Sequence, residues 1–147
     1  MDDQTIRVKK LHPDAILPTY GSAFAAGADL YALPGTDLTV APGETVWVRT
    51  GLTMEIPVGY VALIFARSGL ACKQGLAPAN KVGVVDPDYR GEFMIVLHNH
   101  SEQPAMVHGG DRIAQMVITP CLTASFVEAA ELSDTARGAG GFGSTGG

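Results

Sequence analysis

Three observations predict an all-β fold for this chain of 147 residues. Glycine is in excess, with 18 residues where an ordinary share of about 7% would give roughly ten. The glycines recur at a fixed interval: Gly27, Gly35, Gly43, Gly51 and Gly59 stand eight residues apart, and Gly75, Gly83 and Gly91 resume the spacing. Between them lie segments rich in β-branched and aromatic residues with partial alternation, the pattern of short strands separated by turns. The blocks share no side-chain pattern, so they are not the repeats of a solenoid.

The turns come first. In "LPGT" around Gly35, "APGE" around Gly43 and "IPVG" ending at Gly59, proline presets φ and glycine permits φ > 0. Strands are predicted over 45–49, 60–65, 82–85, 92–97, 112–119 and 125–128. One short helix is predicted over 68–74, with Ser68 as its N-cap and Gly75 as its stop. Short strands must close or pair their edges, which predicts a barrel or a jelly-roll-like body, with neighbouring subunits one way to complete it.

Composition narrows the function classes. With 46% apolar residues the chain builds one core, and we divide it into a β-barrel domain, 1–133, and a glycine-rich C-terminal arm, 134–147. Ten Lys and Arg against 15 Asp and Glu, a net charge of -5, argue against a broad nucleic-acid-binding face. The longest apolar run, 61–66, falls far short of the roughly 20 residues of a membrane span. The N-terminus "MDDQTIRVKK" has no apolar signal region, which predicts a cytoplasmic protein with Cys72 and Cys121 as reduced thiols.

The arm, "DTARGAGGFGSTGG", holds almost nothing that could bury a core. Its composition fits either a frayed terminus or a lid that orders over a ligand. Residues 138–143 match the dinucleotide pattern G-x-G-x-x-G, yet the chain ends before the helix and acidic residue that pattern needs. What survives is the chemistry of glycines that admit phosphate oxygens to backbone N–H groups, flanked by Arg137 and Ser144.

Other segments offer separate pieces of a phosphate site. Arg67-Ser68-Gly69 stands where a strand turns into the predicted helix, and orphan N–H groups there attract anions; an N-cap serine beside a surface arginine is the plainer reading. "NKVGVVDPDYRGEF" has the outline of a β-hairpin with a polar tip. Asp88 reads as a turn former. Asp86 follows Val84 and Val85 and is expected half-buried, where a carboxylate with few partners can act as general base toward water. Asp29 and Gln115 interrupt apolar strand-like runs, and a buried polar group there serves either a structural hydrogen bond or a ligand. The four histidines, His12, His98, His100 and His108, lack metal-ligand spacing, and no catalytic triad or Walker A loop is present.

Five segments stand in one order: "AGADLYA", "RSGLA", "GVVDPDYRGEF", "GDRIAQMVI" and "RGAGGFGSTG". The series resembles the five motifs of the homotrimeric deoxyuridine triphosphate nucleotidohydrolases, the dUTPases. That resemblance implies a distorted jelly-roll β-barrel that forms a trimer with active sites at subunit junctions, and hydrolysis of dUTP to dUMP and pyrophosphate. Such an activity limits uracil incorporation into DNA and supplies dUMP for dTMP synthesis. By resemblance Asp86 is the base that activates water against the α-phosphorus, and Gln115 helps bind phosphate or position that water. Tyr89 is the gate beneath the deoxyribose, and Asn80, Gly83 and Met94 belong to the segment that reads uracil. Arg67, Ser68 and Gly69 bind phosphate, and Asp29 holds the water shell of Mg²⁺. In the arm, Arg137 meets the γ-phosphate, Phe142 covers uracil, and Gly143 and Ser144 complete the contact.

Two alternatives stand beside this. The deoxycytidine triphosphate deaminases resemble the same segments, but where they carry a catalytic glutamate this chain has Val96, with Glu92 out of register. A non-catalytic nucleotide-binding trimer is the other.

Overall fold

A computed structural model describes residues 5–144. The elements run β1 (Arg7–Lys10), β2 (Thr19–Tyr20), β3 (Ala28–Tyr31), β4 (Asp37–Val40), β5 (Thr45–Arg49), β6 (Leu52–Glu55), β7 (Tyr60–Phe65), α1 (Ser68–Lys73), β8 (Leu76–Pro78), β9 (Gly83–Val85), β10 (Met94–Asn99), β11 (Ala105–His108) and β12 (Arg112–Pro120). The glycine punctuation is visible in the backbone, since Gly35, Gly43, Gly51, Gly59 and Gly75 all have positive φ.

The strands fall into four antiparallel sheets, ordered β1-β6, β5-β10-β8, β11-β4 and β2-β3-β12-β7-β9. The all-β prediction holds, while the hydrogen-bond ladders of the described residues do not run on into a closed barrel. A single core gathers Leu30, Leu52, Met54, Leu76, Phe93, Ile95, Leu97 and Ile113. Asn99 is the most deeply buried of the polar side chains beside them. Asn99 donates to the carbonyls of Val40 and Gln103 and accepts from the backbone N–H and hydroxyl of Ser101, so its burial leaves no hydrogen-bonding group orphaned.

The structure corrects four expectations. Ser68 is not the N-cap: Arg67 holds that position in an extended conformation, and no side chain caps the helix. The reason is that Arg67 still follows the line of β7, its guanidinium drawn to Asp29. The strand predicted at 125–128 is absent, because that segment has no strand beside it, and every residue from 121 to 139 is exposed. The segment around Asp86 is not a hairpin: β9 pairs with β7, whereas β10 pairs with β5 and β8. Finally, Asp86 is exposed in the chain. It follows the outward-facing Val84 by two residues at the end of an edge strand, and nothing in the described chain covers that face.

Candidate active site

The divergence of β9 and β10 opens a crevice between two sheets. A cavity of about 290 Å³ occupies it, lined by Asn80, Gly83, Asp86, Tyr89 and Met94 from the predicted site, and by Ile64, Trp47, Glu92, Phe93 and Val96. The loop between the strands is fixed at several points. The Tyr89 N–H donates to the Asp86 carbonyl, Thr53 Oγ1 donates to the carbonyl of Arg90, and the Phe93 N–H donates to the carbonyl of Leu52. Phe93 is 2% exposed and acts as the anchor of the outgoing limb.

Tyr89 lies folded back over Gly91. Its hydroxyl donates to the Glu92 carbonyl at 2.9 Å, and its ring stands 6.1 Å from that of Phe93 at a tilt of 50°. A Cβ at Gly91 would collide with the Tyr89 hydroxyl and ring carbons. The glycine is therefore required by the tyrosine, not by its own φ.

A second group forms on the larger sheet. Its register sets Gln115 of β12 opposite Asp29 of β3 on one side and Phe65 of β7 on the other. Arg67, two residues past Phe65, donates from Nε to Asp29 Oδ1 at 2.8 Å, and Arg112 Nη1 lies 3.7 Å from Asp29 Oδ2. Gln115 Nε2 donates to the Ala66 carbonyl at 2.8 Å. Gly27 leaves room for the Gln115 side chain, which a Cβ there would strike. Arg67 and Gly69 line a groove with Lys73 and Arg112, on a different surface from the cavity.

The arm joins neither group. Arg137 Nε donates to the Gly140 carbonyl, the Gly140 N–H returns to Arg137, and Phe142, Gly143 and Ser144 are exposed. In one chain the predicted residues thus stand in three places.

The sequence model of the dUTPase family matches residues 13–146. The chain belongs to the dUTPase family. It is 48% identical over 142 residues to the deoxyuridine 5'-triphosphate nucleotidohydrolase of Syntrophotalea carbinolica, covering 97% of each chain. With that of Desulfitobacterium hafniense the identity is 52% over 131 residues, covering 88% of this chain and 87% of the relative. Among solved structures, the dUTPase of Staphylococcus bacteriophage 80alpha with dUPNHPP superposes with a TM-score of 0.86 at 27% identity, covering 98% and 99% of the two chains. The likeness extends the all-β assignment to the jelly-roll-like dUTPase fold.

Sequence reasoning missed two features of these groups in the dUTPase chain. Arg112 sits inside the segment "GDRIAQMVI", yet only the β3–β12 register brings it to Asp29. Glu92 lines the cavity while its carboxylate is held by Arg49, whose guanidinium is raised above its ordinary pKa by the hydrogen bonds and charge of Glu92. No local signal predicts that pair, because its members are 43 residues apart. Val96 also lines the cavity and Glu92 is engaged, so no free glutamate for deamination stands there.

Proposed function

We propose that the chain hydrolyses dUTP to dUMP and pyrophosphate by attack of water on the α-phosphorus, with Asp86 as general base. The supporting observation is the cavity between β9 and β10, where Asn80, Gly83, Asp86, Tyr89 and Met94 meet. Its volume of about 290 Å³ lies at the small end of ligand sites and suits a pyrimidine nucleoside, with the phosphates left outside. β9 is an edge strand, so one side of its backbone has no sheet partner among the described residues and can pair with the polar edge of uracil. Tyr89, fixed against Gly91, Glu92 and Phe93, forms a wall that admits deoxyribose and excludes a 2′-hydroxyl.

The Asp86 carboxylate is exposed, and no side-chain hydrogen bond of its own appears among the described residues. It is free to take the proton of a water aimed at the α-phosphorus. The leaving pyrophosphate needs charge neutralisation and no covalent intermediate. Arg67, Ser68 and Gly69 bind the phosphates in this reading, Gln115 orients phosphate or water, and Asp29 holds Arg67 in place.

Mg²⁺ fits the donor set in one way. Among the described residues no group of three His, Cys, Asp or Glu side chains converges, and Asp29 faces two arginines. The protein thus offers no closed ligand set, and Asp29 would meet the ion only through its water shell, which suits an ion that keeps its own waters and is held by phosphate oxygens. When bound, Mg²⁺ supplies neutralisation of the triphosphate charge.

Each site is proposed to draw on several subunits of a homotrimer. The cavity and the Arg67 groove lie on different surfaces. Trp47, Leu122, Phe126 and Val127 are 68%, 96%, 94% and 85% exposed, an apolar display that neighbouring copies would cover. The arm would then close over a site, carrying Arg137 to the γ-phosphate and Phe142 onto uracil, with Gly143 and Ser144 beside it.

A substrate panel tests this. With Mg²⁺ the full chain should release pyrophosphate from dUTP and discriminate strongly against dCTP, dTTP and UTP. Ammonia release from dCTP would favour the deaminase, and substrate binding without turnover would favour the non-catalytic trimer. Light scattering should return three times the 15.3 kDa of one chain.

A further inference from the structure

The cavity contains one charged side chain that the proposed reaction does not use. Glu92 is only 14% exposed at its side chain, and Arg49 of β5 grips its carboxylate with both prongs. Nε donates to Oε1 at 3.2 Å and to Oε2 at 3.1 Å, and Nη2 donates to Oε1 at 2.9 Å. Surface ion pairs generally contribute little, but a two-pronged guanidinium on a largely enclosed carboxylate is the geometry in which they fix orientation.

What the grip fixes is visible in the backbone of the same residue. The main-chain carbonyl of the same Glu92 is the acceptor that holds the Tyr89 hydroxyl. On the other side of that carbonyl the Phe93 N–H is tied to Leu52, and its ring stands against Tyr89. Gly91, on the near side, offers no side chain to steady the tyrosine. Arg49 itself stands opposite Met94 in the β5–β10 register, so the grip refers the loop back to the sheet that forms one wall of the cavity.

We infer that Arg49 is a positioning residue for sugar discrimination: by holding Glu92 it fixes the carbonyl that keeps the Tyr89 ring against the deoxyribose side of the cavity. This rests on the reading that the cavity takes dUTP with Tyr89 beside the sugar. Arg49 does not touch the substrate. It acts through Glu92, and loss of the grip lets the tyrosine swing and opens room for a 2′-hydroxyl. Lysine at this position keeps the charge but lacks the fork, so it should restore the gate only in part.

The test compares kcat/KM for dUTP and UTP, with Mg²⁺, in the wild-type full chain and in Arg49→Met, Arg49→Lys and Glu92→Gln, with the melting temperature of each. The expected result is a dUTP-over-UTP ratio lowered about tenfold or more in Arg49→Met, with Arg49→Lys intermediate and Glu92→Gln lowered likewise. A ratio that stays within about twofold of wild type while the melting temperature falls would show that the pair only staples the loop, and would overturn the inference. If Arg49→Met does not fold, the ratios of Arg49→Lys and Glu92→Gln decide by the same criterion. A wild-type chain that fails to separate dUTP from UTP overturns both this inference and the reading of the cavity. A selective wild type with equally selective variants overturns the inference alone.

Discussion

Replacing Gly91 by alanine should loosen sugar selection at a small cost to the fold. The new Cβ would lie 2.5 Å from Tyr89 Cζ and 2.9 Å from Cε2, where ordinary carbon contacts need about 3.5 to 4.0 Å. The ring must therefore retreat by about 1 Å, and because Tyr89 is 44% exposed it has open space into which to move. That movement forfeits the hydrogen bond to the Glu92 carbonyl and the tilted ring contact with Phe93, each worth about 0.5 to 1.5 kcal/mol. With the ring half in water the loss lies toward the lower end, about 1 to 2 kcal/mol, or a few degrees in melting temperature. The same 1 to 2 kcal/mol, removed from the wall proposed to exclude a 2′-hydroxyl, should lower the dUTP-over-UTP ratio of kcat/KM about five- to thirtyfold. Steady-state pyrophosphate release from both nucleotides reads that ratio. A double-mutant cycle with Tyr89→Ala decides the cause, since without the ring the alanine should have almost no further effect. Full additivity of the two substitutions would refute the reasoning.

Three further outcomes are expected. Asp86→Asn should lower kcat by about 10²- to 10⁴-fold while calorimetric binding of dUTP persists; a near-normal kcat would remove Asp86 as the base. Removal of the chain after Ala136 should leave melting temperature and trimer mass unchanged and turnover poor, because 137–144 contribute nothing to the core; a truncated chain that sediments as a monomer would make the arm structural. Ser68→Ala should change stability by less than about 0.5 kcal/mol in denaturant titration, since Ser68 caps nothing, while raising the KM for dUTP. A loss near the ~1 kcal/mol of a true N-cap would contradict the assigned helix start.

The strands at 45–49, 60–65 and 112–119 were readable because their apolar and β-branched residues mark them locally, and they stand as β5, β7 and β12 within a residue. The helix was readable too, within a residue at its end, because Gly75 stops it with a φ of 73°. The segment 125–128 has the same local character and forms no strand, since a strand needs a partner and the described residues offer none. The hairpin outline failed for a related reason. Alternation and turn residues mark β9 and β10 as strands but do not choose which strands they join, and their departure into different sheets is what leaves a cavity between them.

The sequence by itself determined the all-β class, the turns and the family, because each is written in local residue types and in motifs that keep their order. The tertiary structure decided what those residues face. Cross-strand register placed Gln115 opposite Asp29 and gave Asp29 its two arginines. It also brought Arg49 to Glu92 across 43 residues and laid Tyr89 over Gly91. Such pairings depend on which strands neighbour one another and in what register, a property of the packed sheets that no short stretch of chain carries.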